Sequence, residues 1–342
     1  MKKLVLFCLL MAAVAGFASE AAYKALFGKD TNILIKGDAP AWDKFSKDNK
    51  LEDMFSFMKN QNDLSDISTT LQKKLEEKLK DNKVQNVFVS VAVTKDDILG
   101  ALDAKSAKGV FFLVELEAPL TMDLLMEIVN ESGKKEELEC KRADIDGFPS
   151  MQVKVKEDLV AISLVDSGKS IVASKADEMK TYLERYKAGA GAGVSAKLSE
   201  VMAAAGNGGH LVISFAMPDG MDKYLGDKAE KSRENDPMNA TFMDTGAKLQ
   251  GLSVIVNANG SNLEVKLGFL MNTPEDAIQL KAFIFEGMLK PMLSMLMDSQ
   301  GKPYSFVQKL AFGCENRLAT ATTSITIDEI IGFAKNLAAF RP

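Results

Sequence analysis

The chain has one histidine, one tryptophan and three cysteines in 342 residues, and each scarcity removes a class of chemistry. His210, in Gly206-Asn207-Gly208-Gly209-His210, has no second histidine with which to build a zinc site, and the cysteines are too far apart to complete one locally. A Ser-His-Asp hydrolase would need a serine elbow of the G-x-S-x-G kind, and none occurs. Ser132 to Lys135 matches S-x-x-K without the companion motifs that give those residues a role. Ser167-Gly168-Lys169-Ser170 resembles the end of a phosphate loop, but position 163, where the leading glycine belongs, is Ser163. Asp166 to Lys169 reads instead as a hairpin turn. No catalytic residue, metal site or cofactor is therefore expected, and the chain reads as non-enzymatic.

Apolar runs long enough to span a bilayer are lacking as well. The N-terminal run, Leu4 to Ala15, is short, follows Lys2 and Lys3, and leads to Gly16-Phe17-Ala18, with small residues at −3 and −1 of a cleavage site. Residues 1–18 are expected to be a secretory signal peptide, which makes the protein exported, either periplasmic or secreted, and not integral to a membrane once cleaved. Cys8 lies inside the apolar run without the small residues of a lipobox, so lipidation is not expected. Cleavage removes two of 42 basic residues and none of 47 acidic ones, leaving 40 − 47 = −7. That mild acidity argues against nucleic acid as a partner, because phosphate binding needs a concentrated basic face.

What is present is a chain with 46% hydrophobic and 26% charged residues, ordinary for a folded protein and too apolar for a disordered one. Cys140 and Cys314 remain after export, 314 − 140 = 174 positions apart. They either form one disulfide, which requires the two halves to meet, or stay as buried free thiols, and the second is favoured.

Strand and helix signals alternate in a way that suggests two similar copies. Residues 31–38 read as a strand and 39–61 as a helix with Trp42, Phe45, Leu51, Met54, Phe55 and Met58 at helical spacing. A charged amphipathic helix is expected over 66–83, its lysine run a solvated face. The stretches 87–103 and 211–227 align at an offset of 124, with Ser90 on Ser214 and Ala92 on Ala216. In 108–129 a strand leads to a helix capped by Thr121. In 261–280 a strand leads to Thr273 as N-cap, Pro274 at N1, and Glu275 and Asp276 in the first turn. Residues 151–186 read as three strands and a helix, with Ser174 and Asp177 as a capping box. Residues 310–337 read as strands and a helix begun near Asp328. The fold class is α+β, two similar copies of mainly antiparallel sheet covered by helices, because successive strands are joined by short turns rather than helical crossovers. The first copy spans 19–188, a Gly/Ala linker 189–195, and the second copy 196–342. The second carries an extra polar stretch, 218–250, expected to be a mobile flap or an inert loop.

The most unusual stretch is Met288 to Met297, which holds four of the chain's 18 methionines. On a wheel from Pro274 at 100° per residue, Gln279, Glu286 and Lys290 form a narrow polar stripe, and Ala277, Leu280, Phe283, Ile284, Gly287, Met288 and Leu289 make up most of the rest. Such a helix buries most of its circumference. Pro291 is expected to kink or stop it. Met288, Met292 and Met295 share one face at i, i+4, i+7; thioethers suit Cu(I), but this spacing is also what core packing produces. The segment after Pro291 therefore either fills the core or lines a hydrophobic cavity. In the second case Phe283, Met288, Met292, Met295 and Leu296 are the candidate ligand-binding residues, flexible methionines adapting to varied apolar molecules.

The opening of the mature chain, residues 26–55 with Asp30-Thr31 ahead of a strand, then Ala41-Trp42-Asp43-Lys44-Phe45 and Leu51-Glu52-Asp53-Met54-Phe55, resembles a family of large exported bacterial proteins of unknown function. Residues 273–284 and the strands before 326–333 are similar to that family's later segments. The resemblance implies an exported α+β protein with repeated strand–helix units and supplies no catalytic residues. The function expected is that of an envelope protein binding a hydrophobic ligand or lipid; the alternative is a structural or protein-interaction module of the envelope with no small-molecule ligand.

Overall fold

Period-two alternation and tight turns give a succession of antiparallel strands with helices between them, two of which start at Asp236-Pro237 and Thr273-Pro274. The structure, a computed structural model, describes residues 31–49, 84–99, 108–133, 139–155, 158–188, 194–206, 208–296, 301–330 and 332. The signal segment 1–18, the helix expected over 66–83 and residues 189–193 of the linker lie outside them. The chain divides into two compact units, one comprising residues 1–44 and 51–195 and the other 45–50 and 196–342.

The first unit contains β1 (Ile33–Asp38), the start of α1 (Ala39–Asp48), β2 (Val84–Ala92), α2 (Lys95–Leu99), β3 (Lys108–Leu116), α3 (Met122–Gly133), β4 (Glu139–Ile145), β5 (Phe148–Val155), β6 (Asp158–Val165), β7 (Ser170–Lys175) and α4 (Ala176–Lys187). Its strands run in the order β1-β2-β3-β7-β6-β5-β4, every neighbour antiparallel. Directly opposed residues share a face of the sheet. Val89, Phe112, Ala173, Ile162 and Met151 form one such row and pack with Leu120, Met122, Leu125 and Val129 at the start of and along α3. On the opposite face Phe111 lies 4.4 Å from the ring of Tyr182 in α4, whose Met179 and Leu183 are also buried. Thr121 caps α3, its hydroxyl accepting from Leu124 N–H at 3.3 Å. The capping box expected at Ser174 does not form: Lys175 is the N-cap of α4 and makes no side-chain cap bond, because Ser174 is still in the strand and buried against the sheet. The Asp166–Gly168 turn joins β6 to β7, with Gly168 at φ 91°; a Cβ there would collide with the Leu120 carbonyl.

The second unit contains α5 (Ala196–Ala205), β8 (Leu211–Ala216), α6 (Met221–Ser232), α7 (Pro237–Ala247), β9 (Leu249–Asn259), β10 (Asn262–Met271), a long helix begun by α8 (Pro274–Gln279), α10 (Ser305–Gln308), β11 (Ala311–Glu315) and β12 (Leu318–Thr326). The long helix continues through a π-helical stretch, Leu280–Leu289, into α9 (Lys290–Ser294). Its strand order is β11-β12-β10-β9-β8, all antiparallel. One face meets the long helix through Met271, Ala319 and Ala321. The other meets α5, where Ala205 packs on Val212 and Ile255. Gly251 allows that approach: a Cβ would run into the Phe215 carbonyl and Val201.

Taken strand by strand, β1-β2-β3-β7-β6 and β8-β9-β10-β12-β11 follow the same order. This lays β8 on β1, not on β2. Ser90 and Ser214, matched at the offset of 124, thus occupy different places: Ser90 has strands on both sides within its unit, while Ser214 lies on the strand that opens the other order. The polar stretch 218–250 is a helical hairpin rather than a flap or loop. Its helices pack through small residues, with Ala229 and Ala240 buried and Gly246 close against Leu225. Arg233 and Asp244 pair across it at 2.9 Å, and Asp236 caps α7 by accepting from Asn239 N–H at 3.0 Å.

Candidate functional site

The long helix is where the sequence placed its ligand candidates. Its start follows the local chemistry: the Thr273 hydroxyl accepts from Asp276 N–H at 3.1 Å, Pro274 occupies the first turn, and Asp276 pairs with Lys248 at 2.9 Å. Burial pushes the Asp276 carboxyl up, but hydrogen bonds from Lys248 and Thr273 outweigh it and hold the group below its ordinary range.

Beyond Gln279 the winding changes. Residues 280–289 bond i to i+5, and Lys290 N–H donates to Phe285 O, five residues back. Leu280 and Phe285, also five apart, are both buried, and the Phe285 ring sits 5.2 Å from Phe269 and 5.3 Å from Phe312. Helical winding continues past Pro291: Leu289 and Lys290 keep right-handed helical angles, and the proline falls in the first turn of α9. Its missing N–H coincides with the return from π to α winding, where no donor to residue 287 is needed.

The wheel at 100° per residue therefore misplaces the outer face. Phe283 is 50% exposed, Met292 63% and Met295 76%, with Ile278 at 58%. Met288 and Leu296 are half-buried. The five candidates do not fill the core, and the three most exposed stand on an outward apolar surface. The copper reading gains nothing, since Met292 and Met295 face solvent. Among the described residues no cluster of His, Cys, Asp and Glu could hold a metal.

His210 accepts the Ala258 N–H through Nδ1 at 2.8 Å, a bond near the end of a strand. Cys140 and Cys314 each carry a free thiol and are not both buried: Cys314 is exposed on β11, and Cys140 is half-buried, its thiol pushed up by burial. Tyr186 donates a short hydrogen bond to Asp166, and burial first, then that carboxylate, pushes the phenol up to about 12. In the first unit Asp38, Asn86, Glu115 and Ser170 form one row across four strands, and among the described residues the buried Asn86 amide has no hydrogen-bond partner. No sequence signal marked that row.

The chain is similar in structure to crystal form III of TP0453, at 8% identity over 93% of this chain and 100% of that one, with a TM-score of 0.46. Crystal form I gives 10% identity, 94% and 98% coverage and 0.45; form IV gives 9%, 92% and 96%, and 0.45. No family model and no curated protein matches the chain. Similarity at this level says nothing of activity. Among the described residues no helix is long and apolar enough to cross a membrane, which leaves strand-built membrane crossing untouched.

Proposed function

We propose that this is an exported, non-enzymatic envelope protein that binds a lipid or another hydrophobic ligand on the outer face of the helix running from Pro274 to Ser294 and the two residues after it. The observation that carries the reading is the exposure of Ile278, Phe283, Met292 and Met295, each at least half open to solvent. Fully burying such a side chain from water is worth roughly 1.5–3 kcal/mol, and a ligand that covers the exposed part of each gains the share the fold leaves. Methionine suits the task because its unbranched thioether adapts to variable apolar shapes. Lys281 and Lys290 lie on the same helix, with stems that can follow an apolar surface while the ammonium stays in water.

The test is native mass spectrometry of the purified exported protein, together with flotation on vesicles of phosphatidylcholine and phosphatidylglycerol. Copurifying lipid or flotation is expected, and the triple variant Phe283→Asp, Met292→Asp, Met295→Asp should lose it with an unchanged melting curve. Neither lipid nor flotation in the unaltered protein would refute the reading. The alternative, a protein-interaction module, is favoured by the α6–α7 hairpin, where Met238 and Phe242 are exposed one turn apart. It predicts that Met238→Asp abolishes capture of a protein partner while lipid content stays the same.

A further inference from the structure

We propose that β11 is a pairing edge for a second copy of this chain, the two β11 strands running antiparallel about a twofold axis at Gly313. Among the described residues β11 pairs with β12 alone and ends the strand order of its unit. The two-residue turn Asn316-Arg317 makes Glu315 and Leu318 the first hydrogen-bonded pair, and Gly313/Thr320 and Ala311/Thr322 follow by alternation. The N–H and C=O groups of Phe312 and Cys314 therefore point away from β12, toward the open edge.

Sheet edges are normally blunted by charge, proline or a bulge. The edge strand of the first unit obeys this, with Glu139, Lys141, Arg142 and Asp144 all exposed along β4. β11 reads Ala-Phe-Gly-Cys-Glu, with no charge before its last residue. Centred on Gly313, the self-pairing sets Phe312 against the partner's Cys314, and Cys314 against the partner's Phe312, so all four outward main-chain groups on each strand are satisfied. Gly313 meets the partner's Gly313 with no side chain between them. Glu315 lies opposite the partner's Ala311 and diagonal to the partner's Lys309, and both Lys309 and Glu315 are exposed. Phe312 and Cys314 share a face, so each dimer contact places a thiol beside a ring, a favourable sulfur–aromatic contact. A second copy fits this edge better than an arbitrary peptide because the strand complements its own charge and main-chain pattern.

Sedimentation equilibrium of the purified exported protein is expected to give twice the chain mass. Cys314→Pro removes only an outward N–H and should halve that mass while leaving the circular dichroism spectrum unchanged; Cys314→Lys should do the same by charge. The register is read by the variant Cys314→Ser, Ala311→Cys, Glu315→Cys. Its two new thiols are four residues apart on one strand and cannot bond each other. Across the axis they oppose one another, so mild oxidation should link two chains covalently. A monomer at every concentration, or a dimer that survives Cys314→Pro, overturns the proposal. A dimer without the cross-link overturns its register. Lipid binding is untouched by these variants, so failure here leaves the ligand reading standing and the converse also holds.

Discussion

The helices α3 and Pro274–Ser294 begin alike and end differently. Both follow a strand, both are capped by a threonine hydroxyl, and both cover one face of an antiparallel sheet. In α3 the apolar residues Met122, Leu125, Ile128 and Val129 recur at three- and four-residue spacing and are all buried. The longer helix is apolar around most of its circumference, yet a sheet can cover only one side. Ala277, Leu280 and Phe285 turn inward, the π winding brings Leu280 and Phe285 into line, and the surplus faces water. Matching apolar width to available cover buries every apolar side chain of a helix; exceeding it leaves some of them in water.

The sharpest break of this comparison comes from paired truncations. Phe285→Ala should cost about 3–5 kcal/mol and Leu125→Ala about 2–5 kcal/mol in urea unfolding, whereas Phe283→Ala should stay within about 0.5 kcal/mol. A large loss at Phe283 would mean that the outer face is structural after all. At the caps, Thr273→Ala should cost about 1 kcal/mol and Thr121→Ala less, because the Thr273 bond is shorter and its helix also carries Asp276 there.

The smallest effect distinguishes the two starts by pH. Asp276 has a folded pKa below that of the unfolded carboxyl, so its contribution is present above the ordinary aspartate value of about 3.9 and is lost as pH falls through the folded value. Unfolding measured from about pH 5 downward should show part of the acid loss disappear in Asp276→Asn. Removing Lys248, as in Lys248→Met, should shrink it too. Loss of equal size in both variants and the unaltered protein would show that the pair contributes nothing.

Much of the strand and helix layout was legible because its signals are local. Thr273-Pro274 starts a helix by satisfying one orphan N–H and fixing one φ. The equally local hairpin turn at Asp146-Gly147, where both residues take positive φ, was passed over. The closing helix, expected to begin near Asp328, begins at Ile327, and Thr326 with Glu329 forms its capping box: Glu329 accepts from Thr326 N–H while Thr326 accepts from Glu329 N–H. The hairpin at 218–250 was missed because its helices bury small residues, Ala229 and Ala240, which leave no strong apolar stripe. Of the site, the residues were named, but their setting was reversed. Phe283, Met292 and Met295 were placed in a core or cavity and lie on the surface.

The amino-acid sequence by itself determined the α+β class, the antiparallel connections, the helix starts and the apolar excess of residues 274–296, since each depends on a few neighbouring residues. Only the tertiary structure decided which side of that excess is covered. Winding responds to the sheet beneath it, where Phe285 settles between Phe269 and Phe312, and a wheel drawn at one fixed angle carries no knowledge of those rings. The strand order was likewise decided in three dimensions: hydrogen bonding between β3 and β7 or between β10 and β12 joins residues far apart in the chain, whose pairing no local pattern specifies.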